Sequence, residues 1–392
     1  MQHRFRWHQI PAICGAMAKF AAIYLTERNA YCAVGHSIPA YEQSAHNSFI
    51  KIPAIDLPRH VQVIPCPAHA EPGSKIPDTL LPQCLSWIHD ASGGDLSVIV
   101  IGCFGPFVSL EKADPAQDDF GGYGKLQEIT THKGWGNSHI YKISKEWIQR
   151  YGKNNTEIRI HTEVDLAALG ELWYRRLWLE YIQESDTLKG RAKPYTLGPK
   201  EIESSERSIM VFLKISRSIN GGITYSGDLW KGRHHPLMSS IRLPRYQMRT
   251  ASGTLMTDAY PGSCDIHGDC IEGLIGTKAI ESRTGFFLEN IPSNDGVWEL
   301  VADYVASLCV AITAIISPGA IVLGGRTVRT PNAPSVLIPR IQELFTEKTS
   351  GNGRRSPDYP KMRIPHYIRA HILEHCGIYG GLVMAERWAR RH

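Results

Sequence analysis

Short apolar runs alternate with helical patterns along the chain, and this alternation constrains the fold more than any other feature. The strand-like runs are 97–102 (SVIVIG), 157–160 (EIRI), 209–213 (IMVFL) and 320–323 (AIVL). Each is bounded by glycine, proline or polar residues, as buried strands are. Apolar residues recur at helical spacing over 301–315, and a last helix is predicted over about 380–390. The pattern predicts an α/β protein with mixed sheets.

Length and composition indicate a two-domain globular protein. A chain of 392 residues is too long for one small core. We expect a smaller N-terminal α/β domain over 1–160 and a larger one over 161–375, with a terminal helix at about 376–392 packing back on the first domain. Hydrophobic residues make up 43% and charged residues 21%, which excludes a disordered or fibrous chain.

Charge and cysteine usage limit the partners and the compartment. The formal net charge of +5 is mild and spread along the chain, so no nucleic-acid partner is predicted. No stretch reaches about 18 uninterrupted apolar residues, which excludes a membrane span. The apolar stretch 10–25 is predicted to be a buried first strand rather than a signal peptide. Nine cysteines, mostly in apolar runs, indicate a reducing, cytoplasmic compartment.

The sharpest local motif is a C-x2-H-x2-C cluster formed by Cys264, His267 and Cys270. Two thiolates and an imidazole suit Zn²⁺, and a tight loop of this length can wrap one ion. A fourth ligand must come from elsewhere, or water must fill that position. We favour zinc as a structural clip over zinc as an activator of water. The alternative is three unrelated side chains.

The segment around this cluster resembles a known family. Residues 264–285 (CDIHGDCIEGLIGTKAIESRTG) are similar to the C-P-Y-H-G-D-C-L-E-G-L-A-S-G-P-A-I motif of the ROK (repressor–open reading frame–kinase) sugar kinases, in their bacterial fructokinase branch. Six further segments resemble family motifs in the same order: 101–110 (IGCFGPFVSL), 129–137 (ITTHKGWGN), 161–171 (HTEVDLAALGE), 220–241 (NGGITYSGDLWKGRHHPLMSSI), 316–325 (ISPGAIVLGG) and 376–385 (CGIYGGLVMA). The resemblance implies a two-domain fold like that of actin and hexokinase, with sugar and ATP meeting in an interdomain cleft, and a homodimer.

The phosphate-binding loops that the resemblance implies have lost glycines. The family loop E-A-G-G-T-K-F is matched best by residues 14–20 (CGAMAKF), and an alternative register lies at 31–35. The second loop, G-T-G-I-G-G-G, becomes 216–222 (SRSINGG), and the third becomes 324–327 (GGRT). Bulky side chains hinder close approach of backbone N–H groups to phosphate. Whether Arg217 and Arg326 replace the glycines electrostatically stays open.

The residues that the resemblance places in the sugar cleft are altered too. Glu163 stands for the aspartate of T-D-V-N, and Asp165 for its asparagine. Leu237 and Ser240 replace the glutamate and the metal-ligating histidine of H-P-E-M-G-H. Glu272 alone keeps its sugar-contacting identity. The alternative for Glu163 and Asp165 is capping of the helix that starts near residue 166.

These departures predict that ATP-dependent sugar phosphorylation has been lost and that ATP and Mg²⁺ are not used. The cleft would then serve nucleotide-independent acid–base chemistry on a small organic molecule, by a cyclase, isomerase, lyase or dehydratase. Glu163, Asp165, Glu272 and His235 are the predicted acid–base residues. Two alternatives remain: an atypical fructokinase-type kinase with Glu163 as base, and a non-catalytic, ligand-binding pseudokinase.

Overall fold

A computed structural model of the protein contains two five-stranded sheets. The residues that it describes are 19–36, 61–67, 69–70, 73–105, 107–108, 122–128, 134–152, 155–173, 209–230, 232, 235–249, 252–330, 333–351, 354–355, 367–371 and 375–391. Residues 14–18, most of the predicted first phosphate loop, lie outside them. The predicted α/β class is confirmed.

The first sheet contains β1 (Lys19–Leu25), β2 (Asn29–His36), β3 (Val61–Pro65), β4 (Val98–Cys103) and β5 (Glu157–Thr162). Its order is β3-β2-β1-β4-β5. β1, β4 and β5 run parallel, whereas β2 and β3 are antiparallel to their neighbours. β4 is buried along its whole length and β1 along all but its first residue. Both faces of the sheet are therefore covered, which explains the continuous apolar runs in these two strands.

Helices α1 (Ile76–Ser92) and α2 (Ile140–Tyr151) cover one face of this sheet. Local chemistry fixes the ends of α1. The backbone N–H of Lys75 donates to the Asp78 carboxylate at 2.8 Å, and Gly93 ends the helix with φ +70°. A further helix, α3, starts directly after β5 and is described over 163–173. The chain thus passes without a loop from the edge strand of the first sheet into α3.

The second sheet contains β6 (Met210–Ile215), β7 (Ile219–Tyr225), β8 (Asp228–Leu229), β11 (Ala320–Gly324) and β14 (Ile368–Ala370). Two small hairpins are separate from it: β9 (Gln247–Arg249) with β10 (Leu255–Thr257), and β12 (Ser350–Gly351) with β13 (Arg354–Arg355). The helices of this half are α4 (Ile271–Ile275), α5 (Thr277–Thr284), α6 (Val297–Ile316), α7 (Arg326–Arg329) and α8 (Pro334–Thr349), with short 3-10 turns at Met238–Ser240 and Leu288–Asn290.

The two sheets repeat one topology. The second sheet has the order β14-β11-β6-β7-β8, in which β14, β11 and β6 are parallel and β7 and β8 are antiparallel to their neighbours. This matches the first sheet strand for strand, with β6 in the place of β1 and β7 in the place of β2. The β1–β2 turn and the β6–β7 turn consequently occupy equivalent positions.

The last helix, α9 (Cys376–Arg391), returns to the first sheet. Its Ile378 and Leu382 are buried with Phe20 and Ala22 of β1, on the face opposite to α1 and α2. Gly380 lets α9 cross α3 at backbone contact, because a Cβ there would lie 1.8 Å from the Leu166 carbonyl oxygen. This helix therefore completes the first half of the molecule.

Helix α6 is long and apolar enough to cross a membrane by length and composition alone. Glu299 and Asp303 interrupt its apolar sequence. Its apolar side chains, among them Val301, Val305 and Leu308, are buried in the core of the second half. The packing accounts for its hydrophobicity as that of a core helix.

Candidate functional site

The candidate site is centred on a buried carboxylate where β5 passes into α3. The Glu163 side chain is 1% exposed, and Nζ of Lys214 in β6 donates to its Oε2 at 2.6 Å. Its Oε1 is buried and has no hydrogen-bond partner among the described residues. Buried acceptors are almost always satisfied in native proteins, so this oxygen can accept a hydrogen bond from a ligand or from water.

Asp165 lies one position beyond Val164 on the first turn of α3. Its backbone N–H donates to Oγ1 of Thr162 at 3.2 Å, so Thr162 caps the helix. Its carboxylate lies 3.7 Å from Nδ1 of His235, and both side chains are partly buried. The cap therefore comes from Thr162, and the carboxylates of Glu163 and Asp165 are engaged by Lys214 and His235 instead.

Close packing of β7 against α3 brings the two halves of the site together. A Cβ on Gly222 would lie 2.3 Å from the Val164 carbonyl oxygen, so only glycine permits this approach. Lys214 pairs across the hairpin with Asn220 of β7. Because the hairpin approaches α3 so closely, the Lys214 ammonium reaches Glu163.

Glu272 lies on the first turn of α4 and contacts the other end of β7. Its carboxylate accepts a hydrogen bond from the backbone N–H of Ile219 at 3.2 Å. Burial raises the pKa of Glu272 to about 7, against the opposing effect of that hydrogen bond. The predicted residues Glu163, Asp165 and Glu272 thus belong to elements packed around one strand. Their catalytic roles remain predictions.

The Cys264, His267 and Cys270 side chains converge in one loop, with all ligand atoms within 4.8 Å of one another. The Cys264 sulfur lies 3.9 Å from Nδ1 of His267. Zinc–ligand bonds of about 2.0–2.3 Å give a tetrahedral edge of about 3.6 Å, so this spacing fits a zinc ion. Burial raises the pKa of Cys270 to about 11, and a bound cation would hold it as thiolate.

Three protein ligands are all that the described Cys, His, Asp and Glu side chains supply to this group. Ser240 lies in the 3-10 turn next to Ile241, whose carbonyl accepts the Ile271 N–H at 2.9 Å. That turn therefore lies against the helix that follows Cys270. Leu237, at the start of the same turn, is 63% exposed. The residues fit a structural zinc that ties the loop to α4, and the role of zinc stays a prediction.

The two predicted registers of the first phosphate loop fall differently in the structure. Residues 19–20 of the first register belong to β1, and its residues 14–18 lie outside the described residues. Residues 31–35 of the second register lie inside β2. The hairpin turn between β1 and β2 spans 26–28 (TER), closed by a hydrogen bond from the Thr26 N–H to the Asn29 carbonyl at 2.9 Å. By topology it is the counterpart of the second loop, 216–218 (SRS), between β6 and β7.

The second and third loops contact each other. Gly325 follows β11 with φ +96°, and a Cβ there would lie 2.4 Å from the Ile215 carbonyl oxygen at the end of β6. Glycine is therefore required at Gly325 by conformation and by space. Arg326 comes next, 27% exposed, and its guanidinium binds Glu289. Arg217 on the second turn is exposed.

Sequence analysis missed three residues of this region: Lys214, Arg28 and Glu289. A lysine inside the buried strand 210–215 (MVFLKI) is a signal, because a buried ammonium requires a partner. Arg28 and Glu289 give no such signal. They are 261 positions apart and meet only in the folded chain.

Known proteins share both the sequence motifs and the fold. Residues 196–386 match the ROK family. A fructokinase from Pediococcus pentosaceus is 26% identical over 293 residues, covering 74% of this chain and 81% of that protein. The ROK hexokinase from Thermus thermophilus has a TM-score of 0.56 at 16% identity, covering 95% of this chain and 100% of that one. A ROK family glucokinase from Streptomyces griseus, in complex with glucose and AMPPNP, has a TM-score of 0.53 at 13% identity, covering 96% and 100%.

Two topologically equivalent α/β halves that meet at a buried carboxylate form the two-domain fold class that the motifs predict, and the structural neighbours share it. Within that class the chain is related to the ROK family, as its motifs predict.

The relatives overturn the functional prediction made from the altered motifs. The prediction of a pseudokinase or of a kinase fold reused for nucleotide-independent chemistry is wrong, because the sequence relatives are fructokinases. The prediction that ATP and Mg²⁺ are not used is wrong for the same reason, and a neighbour of this fold binds the ATP analogue AMPPNP. The prediction rested on the glycines lost from the phosphate loops. The turns that carried them persist in the fold.

Proposed function

We propose that this protein is an ATP-dependent sugar kinase of the fructokinase type, with Glu163 as the catalytic base. The observation that carries the proposal is the buried Glu163 Oε1, which has no hydrogen-bond partner in the described part of the chain. The named fructokinases at 26% identity, over three-quarters of the chain, support the reaction class.

The proposed reaction transfers the γ-phosphoryl group of ATP to a sugar hydroxyl. The hydroxyl donates to Glu163 Oε1 and gives its proton to that oxygen as its own oxygen bonds to the γ-phosphorus. The bond from the γ-phosphorus to the bridging oxygen breaks, and ADP leaves. Lys214 holds Oε2, so Oε1 is the oxygen left for the sugar. Mg²⁺ supplies charge neutralisation on the phosphates.

Glu272, Asp165 and His235 are proposed to hold the other sugar hydroxyls. A site with several polar groups discriminates between sugars because a wrong ligand leaves buried groups unpaired. Glu272 is held by the Ile219 N–H at the start of β7, and Asp165, which faces His235, lies on the turn of α3 that packs against Gly222 of the same strand. We also propose a division into 1–160 and 161–375, supported by the repeated sheet topology.

The test is ADP release from Mg-ATP with a panel of fructose, mannose and glucose. We expect turnover with at least one hexose, and a loss of about 10²-fold or more in kcat for Glu163→Gln with KM for the sugar little changed. Glu157→Gln, a half-exposed carboxylate at the start of the same strand, is the matched control. Turnover that survives Glu163→Gln, or no ADP release with any hexose, would refute the proposal.

The proposal extends to the state of the protein in the cell. We propose a cytoplasmic homodimer, supported by the ROK resemblance. Light scattering coupled to size-exclusion chromatography tests the dimer, and a mass near 43.8 kDa would contradict it.

A further inference from the structure

One carboxylate oxygen joins the two halves of the molecule beside the β1–β2 turn and the loop after β11. Glu289 Oε1 accepts a hydrogen bond from Nε of Arg326 at 2.8 Å and another from a terminal nitrogen of Arg28 at 3.2 Å. Arg28 ends the β1–β2 turn of the first sheet, and Arg326 follows Gly325 after β11 of the second. The two guanidinium groups therefore meet at the junction of the halves, on an anion supplied by the chain itself.

We propose that Arg28 and Arg326 form the binding site for the polyphosphate chain of the nucleotide, and that Glu289 occupies this site until nucleotide displaces it. The inference rests on the proposed function, because it names the residues through which that function takes its phosphoryl donor. It also gives a role to Arg326, one of the two arginines considered as replacements for the loop glycines.

The chemistry of the three side chains fits an exchange of anions. A guanidinium binds a carboxylate and a phosphate through the same planar set of N–H donors. Two guanidinium groups that converge on one oxygen therefore form a site for any oxyanion of similar reach. Glu289 brings one negative charge to Arg28 and Arg326, whereas a triphosphate brings several. The nucleotide is accordingly the stronger partner.

The composition of the turns supports such a site. The β1–β2 turn, 26–28, contains no glycine, and the loop after β11 places Arg326 directly behind its last glycine. Without a glycine, the β1–β2 turn lets backbone N–H groups approach a phosphate less closely. Arg217, exposed on the equivalent β6–β7 turn, gives the second loop a cation as well. Positive side chains thus stand at all three turns.

The site is open to a ligand from solvent. The Arg326, Glu289 and Arg28 side chains are 27%, 38% and 67% exposed. Ion pairs at such exposure contribute little to stability and exchange partners readily. Release of Glu289 therefore costs little, and the fold does not depend on it.

The experiment measures binding of two probes by calorimetry: inorganic tripolyphosphate, and Mg-ATP without sugar. We expect Arg326→Gln and Arg28→Gln each to weaken both probes by about tenfold or more. Glu289→Gln removes the competing anion, so we expect it to strengthen both by about two- to fivefold. Arg340→Gln is the matched control, because that arginine pairs with Glu299 on α6, and its affinities should match those of the wild type.

Unchanged affinity in Arg326→Gln, or weaker binding in Glu289→Gln, would overturn the inference. If Arg326→Gln does not fold, Glu289→Gln and Arg28→Gln decide the matter. Because neither probe needs a sugar, the two proposals fail separately. Arginine-dependent binding without phosphoryl transfer to any hexose would leave the anion site standing and remove the kinase, whereas transfer with arginine-independent binding would do the reverse.

Discussion

Replacing Asp258 with asparagine should destabilise the second half of the molecule by an amount that the structure sets. The Asp258 side chain is 5% exposed and accepts hydrogen bonds from both terminal nitrogens of Arg283, at 2.9 and 2.8 Å, and from the Tyr304 hydroxyl at 2.8 Å. These bonds join the segment leading to the Cys264 loop to helices α5 and α6.

The magnitude follows from the pKa of the carboxyl. Burial raises this pKa, but the hydrogen bonds from Arg283 and Tyr304 outweigh burial and bring it to about 2, from 3.8. A depressed pKa stabilises the fold above pH about 4, and this contribution is lost as the pH falls through about 2. The shift corresponds to about 2 kcal/mol at pH 7. Asp258→Asn also leaves the Arg283 guanidinium without its counter-charge, so we expect a loss of about 2–4 kcal/mol in the free energy of unfolding.

Urea unfolding at pH 7 and at pH 3 measures both the loss and its sign. Part of the difference in unfolding free energy between the wild type and Asp258→Asn depends on the charge of the carboxylate. At pH 3 this part should be about half of its value at pH 7. Asp228→Asn, at a half-exposed ion pair with Arg387, should change the free energy of unfolding by no more than about 0.5 kcal/mol. A difference for Asp258→Asn below that value at pH 7, or one that does not shrink at pH 3, would refute the reasoning.

Three further outcomes are expected. Gly380→Ala should lower the unfolding free energy by about 1–3 kcal/mol, because its Cβ would collide with the Leu166 carbonyl. Gly296→Ala is the control: its Cβ meets open space, so its melting temperature, measured by calorimetry, should equal that of the wild type. Equal melting temperatures for the two variants would contradict this reasoning. Cys264→Ser should lose zinc that the wild type retains through dialysis, as measured by plasma mass spectrometry, and retention of a full equivalent would argue against the site. Lys214→Met leaves a buried carboxylate unpaired and should cost about 3 kcal/mol of stability together with most phosphoryl transfer; a stable, fully active variant would show that the ion pair is dispensable.

Sequence predicted the strands that are buried on both faces. The strand predicted at 97–102 agrees with β4 (Val98–Cys103) within one position. A short, continuous apolar run is typical of a strand that is buried on both faces. The edge strand β3 (Val61–Pro65) was not predicted. It is partly exposed along its length and carries Gln62, so its pairing with β2 depends on the hairpin rather than on an apolar pattern.

Site residues that lie within a single sequence motif could be predicted. Contacts between residues of two distant segments could not. Glu163 was found through its position in 161–171, but its partner Lys214 is 51 positions away and reaches it only through the close packing of Gly222. The β1–β2 turn, 26–28, was not singled out from the sequence because it contains no glycine. The repeated topology of the sheets identifies it as the counterpart of 216–218.

The return of α9 to the first sheet has a consequence for synthesis on the ribosome. Strands β1, β4 and β5 are complete when Thr162 has been made, yet Ile378 and Leu382, which cover one face of β1, follow about 200 residues later. At ribosomal rates this is a delay on the order of 10–40 s. During that interval Phe20 and Ala22 lack the cover that Ile378 and Leu382 provide. The order of maturation is therefore reversed: the half that is translated first is the last to close.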